Sequence, residues 1–409
     1  MQSNPWPTFS DVMSAYQKCR YKKRPSIHQI RFESRLGENL LSLHADLQSR
    51  EYQPSRSKCF VVTHPKPREI FAAHFRDRIV HHLLVGRLEP RWEPRFVHSA
   101  FACRKGRGGY KAIAYLDQQA RRLSHGGRHP VFALQVDIAS FFVTIHRPIL
   151  AGILLKDLRD EYLRWLVHLS FHHDARKDVW IDSPPELRAV IPPHKSWFNQ
   201  GKNVGIPIGN LISQFGANVY LDGVDHWIYR NLRPGAYLRY MDDLTLLDTD
   251  PKRLSSMIDP IDTWLRKNRG QWLNPDKTTL KPLSSGIQYL GYQLRQDLAG
   301  GGHVTLKAPA SKKWEFIRTL KRLESCDPKE RPPEHPLEFS FRSLDQKKII
   351  SSLNARLGFL KHAKTYRFRE EAIERLKHQL TNPEHLPAGH FDSWTPIQVK
   401  KTYRAVRFR

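Results

Sequence analysis

The stretch Ala236-Tyr237-Leu238-Arg239-Tyr240-Met241-Asp242-Asp243-Leu244-Thr245-Leu246-Leu247 decides the reading of this chain. Two adjacent carboxylates, Asp242 and Asp243, stand between two apolar runs of strand-like composition. Neighbours in a strand face opposite ways, so a tight hairpin is the natural way to bring such a pair to a sheet edge. Acids exposed there can hold divalent cations, and a third would complete a site. Asp137 supplies it. Val131 to Val136 is an apolar run after Pro130, which predicts a buried strand ending in that carboxylate. Three acids on one sheet edge can hold two Mg²⁺ about 3.5–4 Å apart. Such ions suit phosphoryl transfer: one activates an attacking oxygen, the other stabilises the leaving pyrophosphate.

The 409 residues allow two or three subdomains and a sizeable core. Lys and Arg number 67 against 40 Asp and Glu, a formal charge of +27, which calls for a polyanionic partner, most simply nucleic acid. No run of about 18 apolar residues offers a membrane span, and Met1-Gln2-Ser3-Asn4-Pro5 lacks the apolar core of a signal peptide. Cys19, Cys59, Cys103 and Cys326 are scattered, without a CxxC pair. That spacing fits a reducing, cytoplasmic setting and argues against a disulfide framework or a cysteine zinc site. With 40% hydrophobic residues and 10 Trp, the chain reads as packed rather than as a disordered basic tail.

Residues 1–50 read as helical, followed by strands at 57–63 and 68–71 around the turn His64-Pro65-Lys66-Pro67. Ile79, Leu83, Leu84 and Leu88 recur at helical spacing. A basic, glycine-rich turn at 103–109 precedes a helix at about 110–123. Further on we expect one helix at 148–171, a loop-rich insertion at 174–204, a tight turn at 205–210 and a helix at 211–229. After the 237–247 hairpin come a helix at about 252–268 and strands at 278–281 and 287–294. Gly300-Gly301-Gly302 reads as a joint, with helices beyond it at about 311–325 and 344–380.

Five ordered segments resemble the motifs of reverse transcriptases, across roughly residues 52–295. They are Asp137-Ile-Ala-Ser-Phe141-Phe142, Gly205-Ile-Pro-Ile-Gly209-Asn-Leu-Ile-Ser213-Gln214, Tyr240-Met241-Asp242-Asp243, Asn274-Pro-Asp-Lys277 and Tyr289-Leu290-Gly291-Tyr292. The resemblance implies an α+β right-hand polymerase with fingers, an antiparallel palm sheet backed by helices, and a helical thumb. We place N-terminal helices and fingers at 1–130, and the palm at 131–299 with a fingers insertion at about 155–205. The thumb and a basic extension take 300–409. The resemblance also implies an RNA template, an RNA–DNA hybrid and dNTPs as partners, and two Mg²⁺ as cofactors with Mn²⁺ as the alternative. It casts Asp137, Asp242 and Asp243 as metal ligands, Lys277 as proton donor to pyrophosphate, and Phe142 as the ring that excludes a 2′-OH. It gives Lys66 and Arg68 the triphosphate, and Tyr289 and Gly291 the primer grip. Arg104, Lys105 and Arg107 suit phosphate-backbone contact, and Lys361 lies in a segment similar to the thumb of bacterial relatives.

The second motif departs from the common pattern. Many relatives carry Gln where this chain has Ile208, beside Gly209, and Ser-Pro where it has Ser213-Gln214. The Ile-Gly-x-x-x-Ser-Gln form resembles enzymes of diversity-generating retroelements and of related defence-associated bacterial groups. The former copy a template RNA with errors at adenine; the latter use a non-coding RNA to make antiviral cDNA. We lean to antiviral defence because the thumb runs on into a basic extension. The alternatives are the error-prone retroelement enzyme, with a small accessory protein, and a silent RNA-binding scaffold; a homo-oligomer is also open. His168 and His172, four apart, read as a solvated helix end rather than a zinc site. Asp222 and Asp225 read as surface or cap residues.

Overall fold

The computed structural model describes residues 6–21, 26–298, 303–324, 355–356, 358–360, 368 and 370–371. Lys361, Cys326, the triple-glycine joint and the basic tail lie outside the described residues. The chain divides into two compact units interleaved in sequence. The first takes in 1–108, 134–246 and 252–280, the second 109–133, 247–251 and 281–409.

In chain order the elements begin with α1 (Phe9–Arg20), α2 (Ile27–Glu33) and α3 (Leu36–Gln48). Then come β1 (Ser57–Val62), β2 (Arg68–Ala72), α4 (Phe75–Trp92) and α5 (Gly109–Leu123). Next are β3 (Phe132–Asp137), α6 (Phe141–Thr144), α7 (Arg147–Leu155), α8 (Glu161–His172), β4 (Val179–Ile181) and α9 (Pro185–Ala189). The central part continues with α10 (Leu211–Trp227), β5 (Ala236–Tyr240), β6 (Asp243–Asp248), α11 (Pro251–Ser255) and α12 (Ile258–Arg269). The chain closes with β7 (Thr279–Pro282), β8 (Ile287–Tyr289), β9 (Tyr292–Asp297), β10 (His303–Lys307) and α13 (Ala310–Glu324).

Within the first unit, the start of α1 is fixed by a reciprocal cap. Asp11 N–H donates to Thr8 Oγ1 at 3.2 Å, and Thr8 N–H donates to the Asp11 carboxylate at 3.0 Å. Helix α4 packs on α1 and α10 and buries Ile79, Leu83, Leu84 and Leu88, the positions whose spacing predicts it. A four-stranded sheet of order β5-β6-β3-β7 holds the motif-bearing strands. Its central strands are buried on both faces, with Leu244 to Leu247 all covered. That explains why these runs are continuously apolar rather than alternating. Behind it, α10 buries Phe215, Val219, Tyr220, Leu221 and Val224.

A second sheet, of order β2-β1-β4, forms a hairpin and its extension. β1 and β2 pair antiparallel, with Phe60 opposite Ile70, and β4 joins β1 in parallel, with Trp180 opposite Lys58. Its covered face holds Cys59, Phe71, Val143, Ala175 and Trp197, with Val179 packed against them.

Several elements differ from the sequence expectation. The helix expected over 148–171 is two, α7 and α8, because Asp160 caps a new start by accepting from Leu163 N–H at 3.0 Å. The helix expected over 252–268 likewise breaks between α11 and α12. The insertion at 174–204 contains β4 and α9 rather than loop alone.

In the second unit, the strand expected over 287–294 is a hairpin, β8–β9. Its two turn residues, Leu290 (φ +46°) and Gly291 (φ +83°), have the double positive φ that suits strand twist. β10, which the sequence reading missed, pairs antiparallel with β9 and packs on α5. Buried Gln296 ties this unit together by donating to the carbonyls of Gly127 (2.9 Å) and His129 (2.6 Å) and accepting from Val131 N–H (3.1 Å).

Candidate active site

Asp137 ends β3, and Asp242 and Asp243 sit where β5 turns into β6, the neighbouring hairpin. β3 pairs with β6 of the hairpin, and backbone bonds hold its end. Ile138 N–H donates to Asp242 O at 3.3 Å, and Asn274 N–H to Asp137 O at 2.7 Å. Ala139 N–H donates to Trp272 O at 3.0 Å. The chain after α12 thereby clasps the end of β3 on one side while the hairpin holds it on the other.

The electrostatics follow from crowding. Asp137 is 6% exposed, and its Oδ2 accepts from Lys277 Nζ at 2.6 Å. Burial, then the Asp137 charge, pushes the Asp242 carboxyl up to about 6; Lys277 and Arg68 pull the other way. Asp243, exposed at its surface, is pushed up to about 7 by desolvation, then by the Asp242 and Asp137 charges and a side-chain hydrogen bond with Asp137. Three acids thus face one nearby ammonium and one guanidinium, and two of them resist ionisation. Hard divalent cations relieve such repulsion and prefer these oxygen donors, so the donor set fits them. Among the described residues, no group of three or more His, Cys, Asp or Glu, these three acids included, is placed to hold a metal ion on its own. An open set is what Mg²⁺ takes when substrate phosphates complete its shell. Lys277, cast by the resemblance as a proton donor, sits on the first carboxylate.

Sequence reasoning missed what holds the hairpin. Arg239, 1% exposed, donates from Nε to both Asp225 oxygens (2.8 and 3.0 Å) and from Nη2 to Oδ2 (2.7 Å). Asp225 is 0% exposed and also accepts from Tyr237 Oη at 2.6 Å. The expectation that Asp225 is a surface or cap residue is therefore corrected: it is the counter-ion of a buried guanidinium. Nη1 of Arg239 reaches Asn218 Oδ1 and Met241 O, both at 3.1 Å. Met241 has φ +57°, a region uncommon for a non-glycine residue. The arginine thus fixes the carbonyl of the strained residue immediately before Asp242. The signal was present in the sequence: an arginine inside an apolar strand must find a buried acid.

Around the carboxylates, backbone bonds tie the other motifs together. Ile206 N–H donates to Phe142 O at 2.9 Å, and Phe71 N–H to Ile208 O at 3.2 Å. Gly209 has φ +108°, and a Cβ there would come within 3.1 Å of Ile70, so glycine suits both the turn and the approach. Phe141 is buried and Phe142 half-exposed, their rings edge-to-face at 5.3 Å. Ile208 and Gln214 are half-buried. Lys66 and Arg68 are exposed on the β1–β2 hairpin, and Arg68 is near enough to act on Asp242 electrostatically.

Arg104 is a correction. Its guanidinium is buried against Glu93, at 2.8 Å, and donates to the carbonyls of Val97 and Ala100, both at 2.7 Å. With its donors turned inward it braces the turn instead of meeting phosphate. Lys105 is exposed and Arg107 half-exposed. His168 and His172 are exposed and stacked at 5.4 Å. In the second unit, Tyr289 is buried on β8 and Gly291 lies in the hairpin turn.

A family model described as reverse transcriptase (RNA-dependent DNA polymerase) matches residues 64–294, more than half of the chain. The chain is also similar to Protein YkfC of Escherichia coli (strain K12), 22% identical over 336 residues, which cover 73% of this chain and 82% of that protein. No helix among the described residues is long and apolar enough to cross a membrane.

Proposed function

We propose, from the premise that the chain belongs to the reverse transcriptase family, that Asp137, Asp242 and Asp243 carry its RNA-directed DNA synthesis. The enzyme is a nucleotidyltransferase: a 3′-oxygen bonds to the α-phosphorus of a dNTP, the α–β phosphoanhydride bond breaks, and pyrophosphate leaves. The observation that carries the assignment is the crowding of these three carboxylates, two of them with raised pKa, at one end of adjoining strands. Two Mg²⁺ held there would neutralise phosphate charge and lower the pKa of the attacking hydroxyl. Arg68 and Lys66 suit the triphosphate, Arg68 through a bidentate fork. Phe142, half-exposed beside the buried Phe141, suits the ring that would crowd a ribose 2′-OH and offer it no hydrogen bond. Lys277, whose Nζ lies 2.6 Å from Asp137 Oδ2, would suit protonation of the departing pyrophosphate.

The test is incubation of purified protein with a primed RNA template, Mg²⁺ and either dNTPs or rNTPs. The proposal expects template-dependent incorporation of dNTPs, dependence on the divalent ion and rejection of rNTPs. Equal use of both nucleotides would refute the Phe142 assignment.

We assign the cDNA to a bacterial antiviral defence system with a non-coding RNA template. Ile208 and Gln214 in the second motif suit both the defence-associated and the diversity-generating groups, and the basic extension with Lys400, Lys401, Arg404, Arg407 and Arg409 is what favours defence. Phage plaquing on cells with and without Asp242→Ala tests it. A wild-type gene that leaves plaque number untouched, with cDNA carrying errors concentrated at template adenines, would move the role to diversity generation.

A further inference from the structure

The proposed chemistry uses one face of the β2-β1-β4 sheet only at its Arg68 end. Cys59 and Phe71 point into the core, so alternation turns Lys58, Phe60, Ile70 and Arg68 to the other face. β4 extends that face, since Trp180 lies opposite Lys58 in the parallel pairing. Cross-strand register therefore lays Trp180, Lys58, Phe60, Ile70 and Arg68 in one oblique stripe. One end of the stripe is tied to the candidate site. Arg68 acts on Asp242, Ile70 lies against Gly209, and Phe71 N–H is bonded to Ile208 O. At the other end Trp180 is 51% exposed, on a strand of only three residues. Lys58 Nζ lies 5.0 Å from its ring centroid and also pairs with Asp182.

An exposed indole with a cation on one face leaves the other face open for stacking. Aromatic platforms beside cations are how proteins hold unpaired nucleic acid without reading sequence. The strand order makes the stripe continuous with the residues that would meet the incoming nucleotide. We propose that Trp180, backed by Lys58, is a stacking platform for the unpaired RNA template ahead of the copying position. This rests on the reading of the protein as an RNA-copying polymerase. β4 adds a holding point for the strand about to be copied, which bears on how far the enzyme travels before releasing a structured template.

The experiment compares binding of the full chain to two primer–RNA duplexes, one with a single-nucleotide 5′ template overhang and one with ten. Fluorescence anisotropy at fixed salt gives the affinity gained from the longer overhang. Trp180→Ala should reduce that gain roughly tenfold, the effect of losing one stacked base, while Trp180→Phe keeps most of it. A 4-thiouridine in the overhang should crosslink to the peptide carrying Trp180, which reads contact in the wild-type protein whatever the folding of the variant. An overhang gain equal in wild type and Trp180→Ala, or crosslinks confined to other peptides, overturns the platform. An overhang gain shown by a DNA template strand and not by RNA overturns it as well. Failure of the wild type to extend a primer on RNA would instead overturn the functional reading on which it rests.

Discussion

Replacing Arg239 by Met separates folding from catalysis at the carboxylate hairpin. The substitution removes the partner of an acid that is 0% exposed, leaving Asp225 with the Tyr237 hydroxyl. Breaking a buried pair by removing one member costs about 3–5 kcal/mol, because the remaining charge stays desolvated. A second substitution, Asp225→Leu, removes that charge, and apolar replacement of a buried pair is often neutral or better. Urea denaturation should therefore show Arg239→Met losing about 3–5 kcal/mol at neutral pH and the double variant recovering most of it. Activity should not recover with it. Both variants lack the Nη1 bond to Met241 O, so the strained residue before Asp242 loses its tether. Misplacing a reacting group by about 1 Å costs on the order of 10²-fold. Single-turnover primer extension on RNA should fall by roughly 10- to 100-fold in the double variant, with nucleotide affinity less affected. A double variant that is as stable as wild type and copies RNA as fast would refute the positioning argument. A single variant with unchanged stability would refute the buried-charge argument.

Other outcomes follow from the same geometry. Asp242 and Asp243 have raised values, so their contribution is fully present below the unfolded-state value and is lost as pH rises through about 6 to 7. Metal-free protein should therefore melt lower at pH 8 than at pH 5, and Asp243→Asn should flatten the slope. Because Asp243 is exposed to solvent, the change is about 1–2 kcal/mol rather than the full shift; millimolar Mg²⁺ should restore the melting temperature at pH 8, and a Mg²⁺-insensitive melt would contradict the cation assignment. Phe142→Ala should accept rNTPs on an RNA template, read as a changed ratio of kcat/KM for dNTP over rNTP. Arg104→Ala should lower stability by about 1–3 kcal/mol, since it leaves the Val97 and Ala100 carbonyls unpaired while the part-exposed Glu93 regains water. Lys105→Ala with Arg107→Ala should instead lower the slope of RNA affinity against salt by up to about 2.

The parts of the fold that were legible in sequence are those whose pattern has one physical meaning. The apolar run before Asp137 and the two runs flanking Asp242-Asp243 are buried on both faces, and no polar alternation competes with that reading. The helical spacing of Ile79, Leu83, Leu84 and Leu88 likewise maps onto one buried stripe. Breaks were harder to see. Asp160 reads as one more polar residue in a helical stretch until its side chain is seen to accept from Leu163 N–H. Leu290-Gly291 sits inside strand-like sequence, and its turn depends on positive φ at a leucine, which composition does not announce. β10 follows a triple glycine and needs β9 to exist, so its signal is long-range.

At the site, the sequence marked which side chains gather but not what each is paired with. Asp137, Asp242, Asp243 and Lys277 come together. Arg104 looked like a phosphate ligand because it stands in a basic, glycine-rich turn, yet Glu93 and two carbonyls hold it. Asp225 looked solvated because it lies on a helix, yet that helix is buried on several faces and Arg239 faces it. In both cases a charge was read by its sequence neighbours, while its pairing was set by a residue many positions away.

The most direct measurement is single-turnover dNTP incorporation on a primed RNA template by wild type and by Asp242→Ala combined with Asp243→Ala, each shown by circular dichroism to be folded. The account expects wild-type extension that depends on Mg²⁺ and no detectable extension by the variant, with RNA binding retained. Undiminished extension by the folded variant would contradict the assignment of the chemistry to these carboxylates.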